Sequence, residues 1–589
     1  MCGIAGIIKN NKRTIADNVN SVNNMLSVLN KRGPDDSGVF SDNVCVLGQT
    51  RLSIIDLDTG HQPMKDNTHN ITITFNGEIY NYQELRKDLE KKGYVFSTKS
   101  DTEVILKTYI EYGANCPKYL DGMFAFVIWN SDTKKLFAAR DRFGKKPLYY
   151  TLHEGQFIFA SEIKALFKIG IRGTIDYGAI DNYLSLMYIP PWKSVYSNIH
   201  VLPPAHILLY INGDVKIKKY WSLQNKLINI QYQNAKKKIN ELINKAVRKR
   251  LIADVEIGAL LSGGVDSTLV TERAQQHVTK PIKTFSVSYT GHSSDESKYA
   301  QRASETIGTD HHTLETPCVS IEELTKVIEY MDEPHADSSN FPQHLVSLLA
   351  SSKVKVALSG DGADELFMGY GWYWKYWNTR KIVQLKNFFF STPFKEYIKN
   401  ISVFTKDERK KIWKNPDVVN ENFIPKEIEQ EKNLLKKINL FDILVYLPGQ
   451  LLSKIDRTSM MHSLEIRSPF LDTELAEFVY NIPTEYKMNK HKGKIILKDI
   501  LSDSMSKEFV YRRKQGFGAP VQEWIKEKDI AQYILDLFNK DTEIYKFLKK
   551  DEVINIIERF YKGQKELYYK VWSLVCLEIW MKANSKYHE

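Results

Sequence analysis

The sequence is short of cysteine. It has five in 589 residues, at Cys2, Cys45, Cys116, Cys318 and Cys576. They are scattered, odd in number and form no Cys-x-x-Cys pair. This argues against a disulfide framework or a thiolate zinc site and predicts a reducing, cytoplasmic compartment. No apolar run approaches the roughly 18 residues of a membrane-spanning helix, so no membrane partner is expected. The apolar start, Met1 to Lys9, has no basic segment before it and no cleavage site after it. It is expected to be a buried strand rather than a signal peptide. The Gly-x4-Gly-Lys-Ser/Thr pattern of a P-loop is missing, as are internal repeats and low-complexity tracts. A concentrated basic block is also absent, although the formal charge is +11 from 82 basic and 71 acidic residues. The densest basic stretch, Lys236 to Arg250, places Ile239, Leu242, Ile243, Ala246 and Val247 on one face. That pattern predicts an amphipathic helix with a solvated basic side, not a nucleic-acid surface.

What is present suggests two to four domains on length alone. To about residue 210 the chain reads as strand-rich. Ile71 to Phe75 alternates with period two, and residues 123–129 and 136–140 flank an Asn130–Thr133 turn. A short helix fits Gln83 to Lys92, ended by Gly93. From about 235 to 370 the apolar runs Ile257–Leu261, Thr284–Tyr289 and Val354–Leu358 alternate with helical segments, which predicts a parallel α/β sheet. Beyond about 375 the chain reads as helical. Pro203-Pro204 and residues 222–234 are the candidate linkers.

Cys2 becomes the first residue once the initiator methionine is removed. Its thiol then lies beside its own α-amine, whose pKa of roughly 7.7–8.0 lets it accept the thiol proton near neutrality. Arg51, in Arg51-Leu52-Ser53-Ile54-Ile55, could hold a carboxylate in two-point fashion. Asn76 and Gly77 offer a side-chain amide and a backbone N–H, the two donors of an oxyanion hole. Glu78 and Asp101 could receive an ammonium. A site for carboxylate, ammonium and amide describes glutamine.

These stretches resemble the class II glutaminase domain: Cys2-Gly3-Ile4-Ala5-Gly6, Arg32-Gly33-Pro34-Asp35-Asp36-Ser37-Gly38, Arg51 to Asp56, Phe75 to Asn81, Ser100-Asp101-Thr102-Glu103 and Arg140-Asp141-Arg142-Phe143-Gly144. The resemblance implies an αββα N-terminal-nucleophile domain with antiparallel sheets over residues 2–210. It implies Cys2 as nucleophile, Asn76 and Gly77 as oxyanion hole, and glutamine bound by Arg51, Leu52, Ser53, Ile54, Ile55, Glu78 and Asp101.

In the second part, Leu261-Ser262-Gly263-Gly264-Val265-Asp266-Ser267 lies between an apolar strand and a helix. Its glycines let backbone approach an anion, and the helix start offers free N–H groups. The run is similar to the pyrophosphate loop of ATP pyrophosphatases, which form adenylates. A second strand–loop–helix follows at Leu358-Ser359-Gly360-Asp361-Gly362-Ala363-Asp364. Mg²⁺ on nucleotide phosphates takes one or two carboxylates, and Asp266 and Asp364 fit. The resemblance implies ATP contacts at Leu261, Ser262, Gly263, Gly264, Asp266, Ser267, Val287, Ser359 and Gly360. It implies a role for Asp361 and Tyr370 in adenylate formation.

Leu452 to Arg457, His462 to Asp472 and Arg513 to Gly518 complete a resemblance to the asparagine synthetase family over about residues 2–530. It implies a parallel-sheet ATP pyrophosphatase domain with a helical C-terminal part over 235–589. It also implies that Lys514 stabilises the later charged intermediates, and that ammonia crosses an internal tunnel. The expected substrates are glutamine, ATP with Mg²⁺, and aspartate. A different carboxylate, such as a sugar uronic acid, stays open as the acceptor. Met368 stands where the family has a second Gly, and Ser468 where it has Val. His311-His312 lacks a third metal ligand and reads as structural. The aromatic run Tyr370 to Trp377 reads as helical core packing or a homodimer contact.

Overall fold

Alternating apolar and polar residues build two antiparallel sheets in the first 220 residues of the computed structural model, which describes residues 1–9, 14–289, 295–316, 320–377, 393–512 and 519–589. The first sheet has six strands in the order His200–Val201, Tyr149–His153, Gln156–Ala160, Cys2–Ile8, Cys45–Arg51 and Asp36–Ser41. The second runs Asp214–Lys219, His206–Ile211, Lys135–Arg140, Gly122–Asn130, Ile71–Ile79 and Met64–Asp66. Ile4, Ile8 and Leu47 of the first sheet meet Val127, Trp129, Leu136 and Leu208 of the second in one core, so the sheets stack face to face.

The opposite faces carry helices. Ala5, Ile7, Val46 and Ile158 pack against Val22, Met25, Leu26 and Leu29 of the helix Ile15–Leu29, which Thr14 and Asp17 start with a reciprocal cap. Ile71, Ile73 and Phe75 pack against Leu89 of the helix Tyr82–Lys91 and against Val104 and Ile105 of the helix Asp101–Tyr112. The result is the expected αββα layering. Pro203-Pro204 is not a linker. Two strands of the second sheet, His206–Ile211 and Asp214–Lys219, follow it. Residues 221–231 carry no regular structure and lead into the helix Tyr232–Arg250. That helix buries Ile239, Leu242, Ile243, Ala246 and Val247, as its spacing predicts.

The third sheet has five parallel strands in the order Asp310–Glu315, Lys283–Ser288, Ile257–Leu260, Val356–Leu358 and Glu465–Arg467. Ile257–Leu260 has a neighbour on each side, so the connections after it and after Val356–Leu358 part company at their carboxyl ends. A crevice opens at such a switch point. The rest is helical. The helix Tyr568–Asn584 is buried along most of its length. Its Trp572 and Trp580 indoles donate to the carbonyls of Ala336 and Met331, at 2.9 and 3.0 Å. A wide π-helical stretch, Asp442–Leu452, runs into the helix Ser453–Met460. The aromatic run packs inward in part: Tyr373 and Tyr376 are buried while Trp374 is exposed, and Tyr373 donates, with Tyr397 from farther along, to the Asp442 carboxylate.

The two halves meet across buried charge. Arg32, fully buried, donates through Nη1 to Glu162 Oε1 at 2.7 Å, and through Nη1 and Nη2 to Asp456 at 2.8 and 3.0 Å. Asp456 also pairs with Arg457 at 3.0 Å and lies 3.5 Å from Lys146 Nζ. Removing one partner of such a group leaves an uncompensated charge in the interior. Asp456→Ala is therefore expected to destabilise the protein by about 3–5 kcal/mol. It should be read as a lowered midpoint in urea unfolding followed by tryptophan fluorescence. An unchanged midpoint would show that Asp456 does not compensate Arg32.

Candidate active sites and the wall between them

Cys2 opens its strand opposite Arg51 of the neighbouring strand. Its backbone N–H donates to Asn76 Oδ1 at 3.1 Å. That bond fixes the Asn76 amide, and its Nδ2 is left buried without a partner among the described residues. A buried unpaired donor is costly, so one that persists needs a reason, and a ligand oxygen supplies one. Gly77 follows with φ +153, and a Cβ there would lie 2.0 Å from the Met123 carbonyl, so only glycine fits. Burial pushes the Cys2 thiol up, opposed by the N-terminal ammonium, the Leu52 N–H and Arg51.

The Arg51 guanidinium is held by its Nη2, which donates to the carbonyls of Ile55 and Asp56 at 2.9 and 2.7 Å. Its Nη1 is buried without a partner among the described residues. Leu52, Ser53, Ile54 and Ile55 form the turn that bends back to make those contacts, and the Ser53 N–H donates to Asp35 at 2.8 Å. Asp101 starts the helix Asp101–Tyr112 and accepts from the Ile79 N–H at 3.0 Å. Burial pushes it up to about 6, with the Ile79 N–H opposing. Glu78 is already engaged, at 3.0 Å from Arg467 Nη2. Burial raises its carboxyl well above the usual range, with Arg467 opposing. Arg467 comes from the third sheet and also holds Glu465 at 2.7 Å, so the first site borrows a cation from the other half.

In the parallel sheet, Ala259 pairs with Leu358, so the two expected nucleotide loops leave side by side. Gly263 has φ +72, and a Cβ there would sit 2.4 Å from the Tyr299 backbone. Ser267 Oγ accepts from the Ser262 N–H at 3.2 Å and donates to the Gly264 carbonyl, which folds the loop onto the start of the helix Val265–Gln275. A Cβ on Gly360 would come within 2.8 Å of Asp266 Cβ, so the second loop rests on the first. Leu261 is buried and its N–H donates to Phe285 at 2.9 Å, while Val287 lies half-buried farther along that strand. Ser359 Oγ is 3.2 Å from Ser468 Oγ. Burial raises the Asp361 carboxyl; the Ser359 hydroxyl and Lys454 oppose that, while Asp266 and Asp364 add to it.

Lys494 Nζ lies between the Asp266 and Asp364 carboxylates, 2.7 Å from Asp364 Oδ1. Spacing alone does not reveal Lys494; it arrives from more than 120 residues beyond Asp364. Room for it comes from Gly369 and Gly493, where a Cβ would lie 2.1 Å from Asp364 Oδ1 and 2.2 Å from the Met368 carbonyl. Met368 itself has φ +53, the left-handed region that favours glycine. Tyr370 donates to Glu365, whose carboxyl burial pushes up to about 8, with Asp364 adding to the rise. Glu365 was not singled out from the sequence, nor were the interdomain roles of Arg32, Glu465 and Arg467. Lys514 and Cys318 lie outside the described residues. His311 bonds to Thr284 and Ser286 hydroxyls at 2.8 and 3.1 Å, a structural setting. No group of three or more potential metal ligands occurs among the described residues.

Between the two sites lies a small cavity lined by Met1, Lys145, Lys146, Ile455, Ser459 and Ser468, among others. Its lining includes both the residue before Cys2 and Ser468, whose Oγ is 3.2 Å from Ser359 Oγ. Burial, with Arg250 adding to it, pushes Lys145 down to about 7.

Residues 238–582 match the asparagine synthase family, and residues 1–221 match the glutamine amidotransferase domain family. The chain is 31% identical to asparagine synthetase (glutamine-hydrolyzing) 1 of Bacillus subtilis strain 168, over 99% of this chain and 97% of that protein. It is 31% identical to asparagine synthetase (glutamine-hydrolyzing) 3 of the same organism, over 89% of each chain. To asparagine synthetase (glutamine-hydrolyzing) 2 of Oryza sativa subsp. japonica it is 29% identical, over 89% of this chain and 78% of that one. No helix among the described residues is long and apolar enough to cross a membrane. The chain belongs to the asparagine synthase family of ATP-dependent, glutamine-hydrolysing ligases.

Proposed function

We propose that this chain converts aspartate to asparagine, using glutamine as nitrogen donor and ATP as activator. The observation that carries the reading is that one chain holds both a cysteine site, with Asn76 Nδ2 and Arg51 Nη1 buried and unpaired among the described residues, and two adjoining loops at Ser262 and Ser359. A protein with one working site would not need both. The names of the relatives support aspartate as acceptor, and the same chemistry on a sugar uronic acid is the alternative.

With Met1 removed, the Cys2 α-amine takes the thiol proton and the sulfur attacks the glutamine carboxamide carbon. Asn76 Nδ2 and the Gly77 N–H receive the resulting oxyanion. Arg51 Nη1 holds the glutamine carboxylate, and Asp101, with Glu78 beside it, takes its ammonium. Ammonia leaves with the proton from the amine, and water hydrolyses the thioester to glutamate. In the second site an acceptor carboxylate oxygen attacks the α-phosphorus of ATP, and pyrophosphate departs. Ammonia then attacks the acyl carbon, and AMP leaves. Backbone N–H groups at the start of the helix Val265–Gln275 receive the departing pyrophosphate. Lys514 is assigned, from resemblance alone, to the charged states after adenylation.

The Asp266 and Asp364 carboxylates already converge on one positive charge, the Lys494 ammonium, so this donor pair suits a hard divalent cation. They are the residues that would hold Mg²⁺, which when bound neutralises phosphate charge.

Three variants and one product analysis test the reading. Cys2→Ala should lose glutamine-dependent synthesis and keep ammonia-dependent synthesis at mildly alkaline pH; retained use of glutamine would remove Cys2 as nucleophile. Asn76→Ala should lower glutaminase kcat by about 100- to 1000-fold. The ammonia-driven reaction should be unaffected, and a parallel fall in both rates would contradict the oxyanion role. Asp364→Asn should abolish release of AMP and pyrophosphate while glutaminase turnover persists. The wild-type nucleotide products are checked by phosphorus NMR, where ADP and phosphate would overturn adenylation.

A further inference from the structure

The amino end of the parallel sheet is turned toward the first half, away from the nucleotide loops at its carboxyl end. The strand Ile257–Leu260 begins three residues after Asp254, and the strand Val356–Leu358 begins directly after Lys355. Their first residues, Ile257 and Val356, are paired, so the two starts lie side by side. Ile252, Ala253, Val255 and Ile257 pack onto the core that contains Leu52, Ile54 and Ile55 of the first half. The strands that end in the Ser262 and Ser359 loops therefore begin against the turn behind Arg51.

Polar contacts fix that arrangement. The Asp254 carboxylate accepts from the Asp56 N–H at 2.7 Å, and the Asp254 N–H donates to the Ile54 carbonyl at 2.9 Å. The 52–56 turn is thus gripped at two points by one residue of the second half. Asp56 is where the grip matters. Its φ is +52, a left-handed conformation that a residue other than glycine keeps only when its surroundings enforce it. The Asp56 carbonyl, with that of Ile55, holds Arg51 Nη2. The Asp56 carboxylate accepts from the Lys99 N–H at 2.8 Å, two residues before Asp101. Asp56 therefore sets both ends of the glutamine site, the cation and the helix start. Burial raises the Tyr82 phenol, opposed by Gln83; Asp101, Glu78 and Asp254 all add to the rise, so the three carboxylates act on one ring. A second anchor stands alongside. Lys355 Nζ is 2.7 Å from Asp35 Oδ2, the same oxygen that accepts from the Ser53 N–H, and the Asp35 N–H donates to the Arg51 carbonyl at 3.0 Å.

An arginine that offers one nitrogen to a ligand binds well only if the rest of its guanidinium is held still beforehand. The first half supplies the carbonyls that hold Nη2, and the second half holds the residue that presents them. We propose that Asp254 is a positioning residue for glutamine: from the second half it keeps the 52–56 turn, and through it Arg51 Nη1, in the conformation that receives the substrate carboxylate, with Lys355 as the second anchor. Glutamine affinity is then a property of the two docked halves and not of the first half alone. This rests on the glutamine site assigned above to Cys2, Asn76 and Arg51.

The test measures glutaminase kinetics and ammonia-driven pyrophosphate release on the full chain. Asp254→Ala should raise the KM for glutamine about three- to tenfold, the worth of one partly exposed hydrogen bond, with kcat changed far less. Asp254→Asn, which still offers an oxygen to the Asp56 N–H, should stay within about twofold of wild type. Ammonia-driven release should be unaffected in both. In an Arg51→Ala background, Asp254→Ala should lower kcat/KM for glutamine by less than about twofold, because the group it acts through is gone. Lys355→Met changes a side chain that is 43% exposed, so it reads the same face even if Asp254→Ala does not fold; it should raise the KM about twofold. An unchanged KM in Asp254→Ala, or in Lys355→Met where Asp254→Ala is unfolded, would overturn the inference. So would a parallel fall in the glutamine and ammonia reactions, which marks a structural role, or a full effect in the Arg51→Ala background. Glutaminase turnover that survives Cys2→Ala would instead overturn the site itself, whatever the Asp254 variants do.

Discussion

Everything in this molecule is arranged around one guanidinium that cannot be left alone. Arg32 is fully buried, and no residue of its own neighbourhood neutralises it. Glu162 from the first half and Asp456 from the second do so together. Its remaining Nε donates to the Cys2 carbonyl at 3.1 Å. This buried electrostatic contact between the halves is therefore also a contact to the peptide of Cys2, the proposed nucleophile. A buried pair of this kind contributes little net stability but makes separation costly, since parting the halves would strand charge in the interior.

The helix Ser453–Met460 gives that constraint a direction. Within one turn it carries Lys454, facing Asp337, and Asp456, facing Arg32. The wide π-helical turns before it set its rotation, and the Gln450 carbonyl at their end takes the His335 hydrogen. One turn of rigid helix thus connects the segment around Asp337 to the guanidinium that holds the peptide of Cys2. Arg467 repeats the pattern, linking Glu78 of the first half to Glu465 of the second.

Much of this was legible in the sequence, and the limits have physical reasons. Period-two alternation located Ile71–Ile79, and the 3.6-residue spacing located Tyr232–Arg250, because each pattern reflects one buried face. The loop at Ser262–Ser267 declared itself because glycine at φ +72 and a helix start leave a local signature. Lys494 left none, because its partners are 228 and 130 residues away, and a lone lysine before an apolar helix looks like many others. Arg467 and Glu465 stood inside a recognised motif, yet their pairing with Glu78 depends on how two domains dock. Pro203-Pro204 misled because proline stops a strand locally without saying whether the sheet continues after it.

Met1 has a consequence of a different kind. It is 2% exposed, and its ammonium lies 3.3 Å from Glu465 Oε2, a residue synthesised more than 460 codons later. Once the third sheet is in place, no peptidase can reach that bond. For Cys2 to act as proposed, exposure of its amine is then a matter of timing on the ribosome: the methionine must be cut while the first half is emerging and its future cover does not yet exist. At roughly 5–20 residues per second, that interval lasts on the order of half a minute to a minute and a half. A chain that misses it would fold completely, bury its start and remain without a free cysteine amine for the lifetime of the molecule.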